Sequence, residues 1–158
     1  MCLITEHVHA LEKNKELEAE IARLQQQEPI LLKPAGTIDI NLMSSILLDK
    51  LEEMGDTKAE LYLADIECKV YNKVDVVEFL GLDEIDKLVF VAEEHDCDDF
   101  AAELFGKGIP LLWTNKHALN WFLEYETNIL WFVEPQSDKI AKDLENWQGW
   151  DVRMFVSR

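Results

Sequence analysis

The stretch Asp96-Cys97-Asp98-Asp99-Phe100-Ala101 decides how this chain is read. Asp96 fits a helix N-cap, with Asp99 three residues on as a capping-box partner. Cys97, Phe100, Ala101, Leu104 and Phe105 then share one helical face, which Gly106 ends. This pattern predicts a sulfur in the first turn of a helix, where free N–H groups and the dipole favour a thiolate and can hold an oxyanion. Two further stretches follow, Trp113-Thr114-Asn115-Lys116-His117-Ala118-Leu119-Asn120 and Glu134-Pro135-Gln136. Together they supply a cysteine, a histidine and a carboxylate in order: a nucleophile, its base and the base's orienter. Residues 116–135 read as a strand, a turn at Glu124-Tyr125-Glu126-Thr127 and a second strand over 128–133. Folding about the middle of that turn sets His117 opposite Glu134, with Cβ atoms roughly 4.5–5.5 Å apart. A one-residue slip would put the two on opposite faces.

The aspartates complicate the picture, because like charge raises a thiol pKa. Either His117 supplies the compensating positive charge, or a cation such as Ca²⁺ sits at Asp96, Asp98 and Asp99, whose hard oxygens suit it. A lone cysteine on an apolar helix face is also what an ordinary core residue looks like. His95 lies too near Cys97 in sequence to stand on a facing strand and reads as a surface residue.

Bulk properties narrow the function classes. The chain has 158 residues, with 15 Lys+Arg against 32 Asp+Glu and a formal charge of −17. That balance argues against a phosphate-backbone binder and against an anionic membrane surface. It leaves two readings, a solvated surface or a mimic of a nucleic-acid backbone. No apolar run approaches the roughly 18–20 residues of a membrane span, and the first residues show no basic region before an apolar core. Cys2, Cys68 and Cys97 form neither a disulfide framework nor a paired zinc motif. A reducing cytoplasm, that of a bacterial host cell included, is the expected setting.

Residues 5–27 lack Gly and Pro and are rich in helix formers. A heptad places Leu3, Ala10, Leu17 and Leu24 at d and His7, Asn14 and Ile21 at a. Asn at an a position sets the register of a parallel pair, so residues 3–27 are expected to form a dimerising coiled coil, or to pack on their own domain. The division is a helical segment over 1–28 and a folded domain over 37–158, joined by an apolar connector around Pro29 and Pro34. Within the domain, residues 41–53 read as a helix stopped at Gly55. Residues 60–71 read as a strand holding a buried Cys68. Asp75 is the expected N-cap of a helix over 76–80 ended by Gly81, and residues 88–92 read as a strand. Ser137 would cap a helix over 138–147, Gly149 would stop it, and residues 150–156 alternate as a last strand.

The three site motifs together resemble those of small phage and bacterial proteins related to the C-terminal domain of a fungal mushroom agglutinin, a calcium-dependent papain-like cysteine peptidase module. The resemblance covers residues 60–156 and includes Trp147-Gln148-Gly149. It implies Cys97 as nucleophile, His117 as base and Glu134 as the residue orienting His117. Two departures stand out. Only 19 residues separate Cys97 from His117, which is short for the family. No Gln stands at the usual distance upstream of the cysteine, so backbone N–H groups, Gln136 or Asn120 are the candidates for oxyanion binding or support.

The reading is an α+β domain, a small antiparallel sheet with the Cys97 helix packed on it in a papain-like arrangement, preceded by a coiled-coil helix. The expected function is thiol acyl transfer or hydrolysis of a peptide or isopeptide bond in a peptide or protein substrate. Ca²⁺ is the one candidate cofactor. No membrane partner and no direct nucleic-acid binding are expected. Two alternatives stay open: a non-catalytic phage accessory protein keeping the fold, and an acidic nucleic-acid-mimic inhibitor.

Overall fold

The computed structural model describes residues 12–18, 30–56, 58–149 and 151–158. Residues 12–18 are helical and exposed; the rest of the expected coiled coil over 3–27 lies outside the described residues. Among the described residues, no helix is long and apolar enough to cross a membrane.

The body is a six-stranded sheet in the order β2-β8-β4-β5-β6-β7, with a separate ribbon of β1 and β3. Its strands are β1 (Gly36–Asp39), β2 (Glu60–Leu63), β3 (Glu67–Val70), β4 (Leu111–Thr114), β5 (Ala118–Leu123), β6 (Leu130–Glu134), β7 (Lys139–Ala141) and β8 (Val152–Ser157). Every pair is antiparallel except β2 with β8. Helix α1 (Ile40–Met54) covers one face, and α2 (Lys73–Asp83) and α3 (Cys97–Lys107) cover the other. On the α1 side, Met43, Leu47 and Leu51 meet Leu119, Trp121, Leu123, Phe132 and Phe155. On the opposite side, Phe79, Leu80, Phe100 and Leu104 meet Phe122, Trp131 and Val133. Every residue of β5 and β6 is therefore buried, as expected for strands covered on both faces. Each large side chain so covered contributes about 1.5–3 kcal/mol. Trp121, fully buried, satisfies its indole N–H on the Leu111 carbonyl at 2.9 Å.

Several expected boundaries change. Residues 60–71 are not one strand: the chain leaves the main sheet after Leu63 and re-enters the ribbon at Glu67. Asn72, not Asp75, is the N-cap of α2; Asp75 stands in the first turn, and Gly81 is interior, where a side chain would meet open space. Residues 88–92 form no strand. Leu88, Val89, Phe90 and Val91 are exposed in a loop closed by one bridge from Val91 to His95. Helix α3 runs one residue past Gly106 and stops at Gly108, which has φ 118°. The helix expected over 138–147 is absent, because the turn after Glu134, with Asp138 at φ 55°, returns the chain as β7 against β6. The packed unit also begins before residue 37: Leu32 is buried and its N–H reaches the Lys107 carbonyl at 3.0 Å.

Candidate active site

Helix α3 opens as its sequence requires. The Asp96 side chain accepts from the Asp98 N–H, and the Asp99 carboxylate accepts from the Asp96 N–H at 3.0 Å, closing a capping box. Cys97 is the first helical residue, half-buried against Ala101, Leu111 and Ala118. Burial pushes its thiol up, the backbone N–H of Ala118 pulls it down, and the carboxylates of Asp96 and Asp98 push it up again.

His117 sits at the end of a tight β4–β5 connection built around Thr114. The buried Thr114 hydroxyl accepts from the N–H groups of Lys116 at 3.1 Å and His117 at 3.0 Å, while the Thr114 N–H donates to the His117 carbonyl at 2.9 Å. The imidazole Nε2 lies 2.8 Å from Glu134 Oε2, with the two side chains only 9% and 3% exposed. A buried carboxylate needs donors or an opposite charge; with Nε2–H turned to Glu134, Nδ1 is the ring nitrogen left for a proton.

The hairpin register is not the expected one. Asn120 pairs with Val133 and Trp121 with Phe132, and continuing this one step sets Leu119, not His117, across from Glu134. The pair is diagonal, two residues out of direct opposition. An even offset keeps both side chains on one face, and a glutamate is long enough to span the diagonal.

Cys97 packs against Ala118, the residue after His117, and the Ala118 N–H draws its thiol down. Among the described residues no thiol–imidazole hydrogen bond is formed.

The two candidates for oxyanion binding fall elsewhere. Both amide hydrogens of Asn120 are taken by the carbonyls of Ala101 at 3.0 Å and Ile109 at 3.1 Å, so Asn120 supports the site by tying α3 to β5 and offers no donor to a substrate. Gln136 contributes its backbone N–H in a long 3.5 Å contact to Glu134 Oε1. At the start of α3 the Asp98 and Asp99 N–H groups serve the Asp96 cap and the Phe100 N–H reaches the Asp96 carbonyl, so the Cys97 N–H is the donor that this turn can offer. His95 is turned away from Cys97, with its Nε2 3.2 Å from Glu103 and its ring edge-on to Phe100.

Ligand atoms of Asp96, Cys97 and Asp98 lie within 4.8 Å of one another, while Asp99 is engaged in the capping box. Contact with Asp98 holds the Asp96 carboxyl below the usual carboxylate range, and the Asp98 carboxyl is raised in return. Two carboxyls and a sulfur supply fewer hard oxygens than the six to eight Ca²⁺ takes.

The residues that sequence reasoning passed over lie between β7 and β8. Trp147 places its ring 5.2 Å from the imidazole. Gln148 points its Nε2 at Glu134 Oε2, 3.3 Å away. Gly149 has φ 89°, and a Cβ there would stand 2.5 Å from Asn115 Oδ1, so only glycine lets this segment lie against the Thr114 turn. Trp147-Gln148-Gly149 was visible as a motif, but nothing in its spacing places it against His117.

No protein-family model matches the chain, and no curated protein matches it. Solved structures do. A structure described as the PSL1a–E64 complex aligns with a TM-score of 0.60 at 19% identity over 76% of this chain and 50% of that one. The Polyporus squamosus lectin, bound to the epitope Neu5Aca2-6Galb1-4GlcNAc, aligns with a TM-score of 0.52 at 20% identity over 62% of this chain and 42% of the lectin. The fold is that of a fungal agglutinin. The chain spans at most half the length of these agglutinin structures.

Proposed function

We propose that this agglutinin-like chain is a papain-like cysteine peptidase or acyl transferase, with Cys97 as nucleophile, His117 as base and Glu134 as its orienter. The observation that carries the reading is the buried His117–Glu134 pair at 2.8 Å, set one residue from the backbone N–H that faces the Cys97 sulfur. In this scheme the Cys97 S–H proton passes to His117 Nδ1, and the thiolate attacks the carbonyl carbon of a peptide or isopeptide bond. The Cys97 N–H at the start of α3 receives the developing oxyanion. The proton then moves from Nδ1 to the departing amine, leaving a thioester, which water cleaves with His117 again taking the proton. On the same three motifs we group the chain with small phage and bacterial proteins acting in a reducing cytoplasm.

A second reading, a binding module that keeps the frame without turnover, is favoured by the raised thiol and its contact with Ala118 rather than the imidazole.

Alkylation separates the two. Under native conditions iodoacetamide should modify Cys97 at least tenfold faster than the buried Cys68, with the difference lost in His117→Ala. E64, the molecule of the PSL1a complex, should label Cys97 in the parent alone. Equal rates at the two cysteines, or a rate indifferent to His117, would overturn the enzymatic reading.

A further inference from the structure

We propose that Gln148 is a positioning residue for the His117–Glu134 pair, an inference that rests on the catalytic reading of Cys97, His117 and Glu134. Gln148 is only 5% exposed; its N–H donates to the Glu145 carbonyl at 3.0 Å, and three further contacts hold it. Its carbonyl accepts from the Thr114 hydroxyl, its Oε1 accepts from the Glu145 N–H at 2.8 Å, and its Nε2 donates to Glu134 Oε2 at 3.3 Å.

The first two contacts fold the 145–149 turn and would suffice for a structural glutamine. The third does something else. It delivers a hydrogen to the same carboxylate oxygen that receives the imidazole Nε2–H. Two donors converging on Oε2, with the long Gln136 N–H contact on Oε1, fix the rotation of the carboxylate about its last bond. A fixed carboxylate fixes the imidazole plane, and with it the direction of Nδ1. The sites that hold Gln148 explain two neighbours as well. The Thr114 hydroxyl that organises the His117 backbone also clamps the Gln148 carbonyl, and Gly149 is the residue that lets the turn come this close.

The test uses the full chain and two variants. Gln148→Met keeps the volume and removes both the donor to Glu134 and the acceptor of the Glu145 N–H, which Gln148→Glu keeps. It should melt below the parent, shift the His117 Nε2–H resonance of histidine-labelled protein, and slow Cys97 alkylation about threefold to tenfold, the net worth of one ordinary hydrogen bond. Gln148→Glu separates positioning from packing through its pH profile. Above the range of carboxylate titration its charge opposes Glu134, while at lower pH the protonated side chain donates in place of the amide. Its alkylation rate relative to the parent should therefore recover as pH falls, and that of Gln148→Met should not. Unchanged His117 resonances in Gln148→Met, or parallel pH profiles for the two variants, overturn the inference. Failure of the catalytic reading looks different: His117→Ala and Glu134→Gln would leave the Cys97 rate untouched, while the His117 resonance would still respond to Gln148.

Discussion

Cys97 carries opposing influences within one helical turn. Burial and the carboxylates of Asp96 and Asp98 disfavour its thiolate, while the Ala118 N–H favours it. The thiol of the resting protein should accordingly titrate above an ordinary cysteine, and its alkylation rate should climb through the alkaline range rather than level off near neutrality. Asp98 is the more dispensable acid, because the capping box uses Asp96 and Asp99. Asp98→Asn should move the alkylation curve to lower pH and speed the reaction about twofold to threefold at neutral pH. A curve that moves upward would show that the Asp98 charge acts on something other than the sulfur.

At the scale of elements, the site depends on how α3 is tied to β5, and Asn120 makes that tie through the Ala101 and Ile109 carbonyls. Asn120→Ala gives up two buried hydrogen bonds, at a cost of about 1–3 kcal/mol. Urea denaturation should record the loss, and the surviving folded fraction should show less difference between Cys97 and Cys68 in alkylation. The capping box of α3 was legible in the sequence because it is a local device spanning four residues. The His117–Glu134 pairing was legible for a different reason: a two-residue error in register left both side chains on one face, where a one-residue error would have separated them. The last strand, expected over 150–156 and found at Val152–Ser157, was legible from its alternation, but the return before it was not. The expected helix over 138–147 follows a sound local cue at Ser137, but the exposed edge of β6 takes the chain as β7 instead, a long-range choice that overrides propensity. For the same reason Gln148 was missed, since its partner Glu134 lies across that return.

Across the whole molecule the acidic excess concentrates a second tension on the α2 side. Burial, then Asp86 and Asp83, push the Asp138 carboxyl up to about 6 from its ordinary 3.8, against the pull of Lys87. A carboxyl raised on folding binds its proton more tightly in the folded state. Its contribution to stability is therefore full below about pH 3.8 and is lost as pH rises to about 6. Measured by denaturation across that window, the difference in stability between Asp138→Asn and the parent should grow in favour of the variant as pH rises; a constant difference would remove Asp138 from the account. The placement of the thiol has one more consequence. The Ala118 amide that addresses Cys97 stands at the first residue of β5, paired with Trp113 of β4, while the pairing with β6 begins two residues later at Asn120. The sulfur therefore meets the strand where it is held from one side only. Deuterium should reach the Ala118 amide sooner than the amides of Trp121 and Phe122, which lie where β5 is held from both sides.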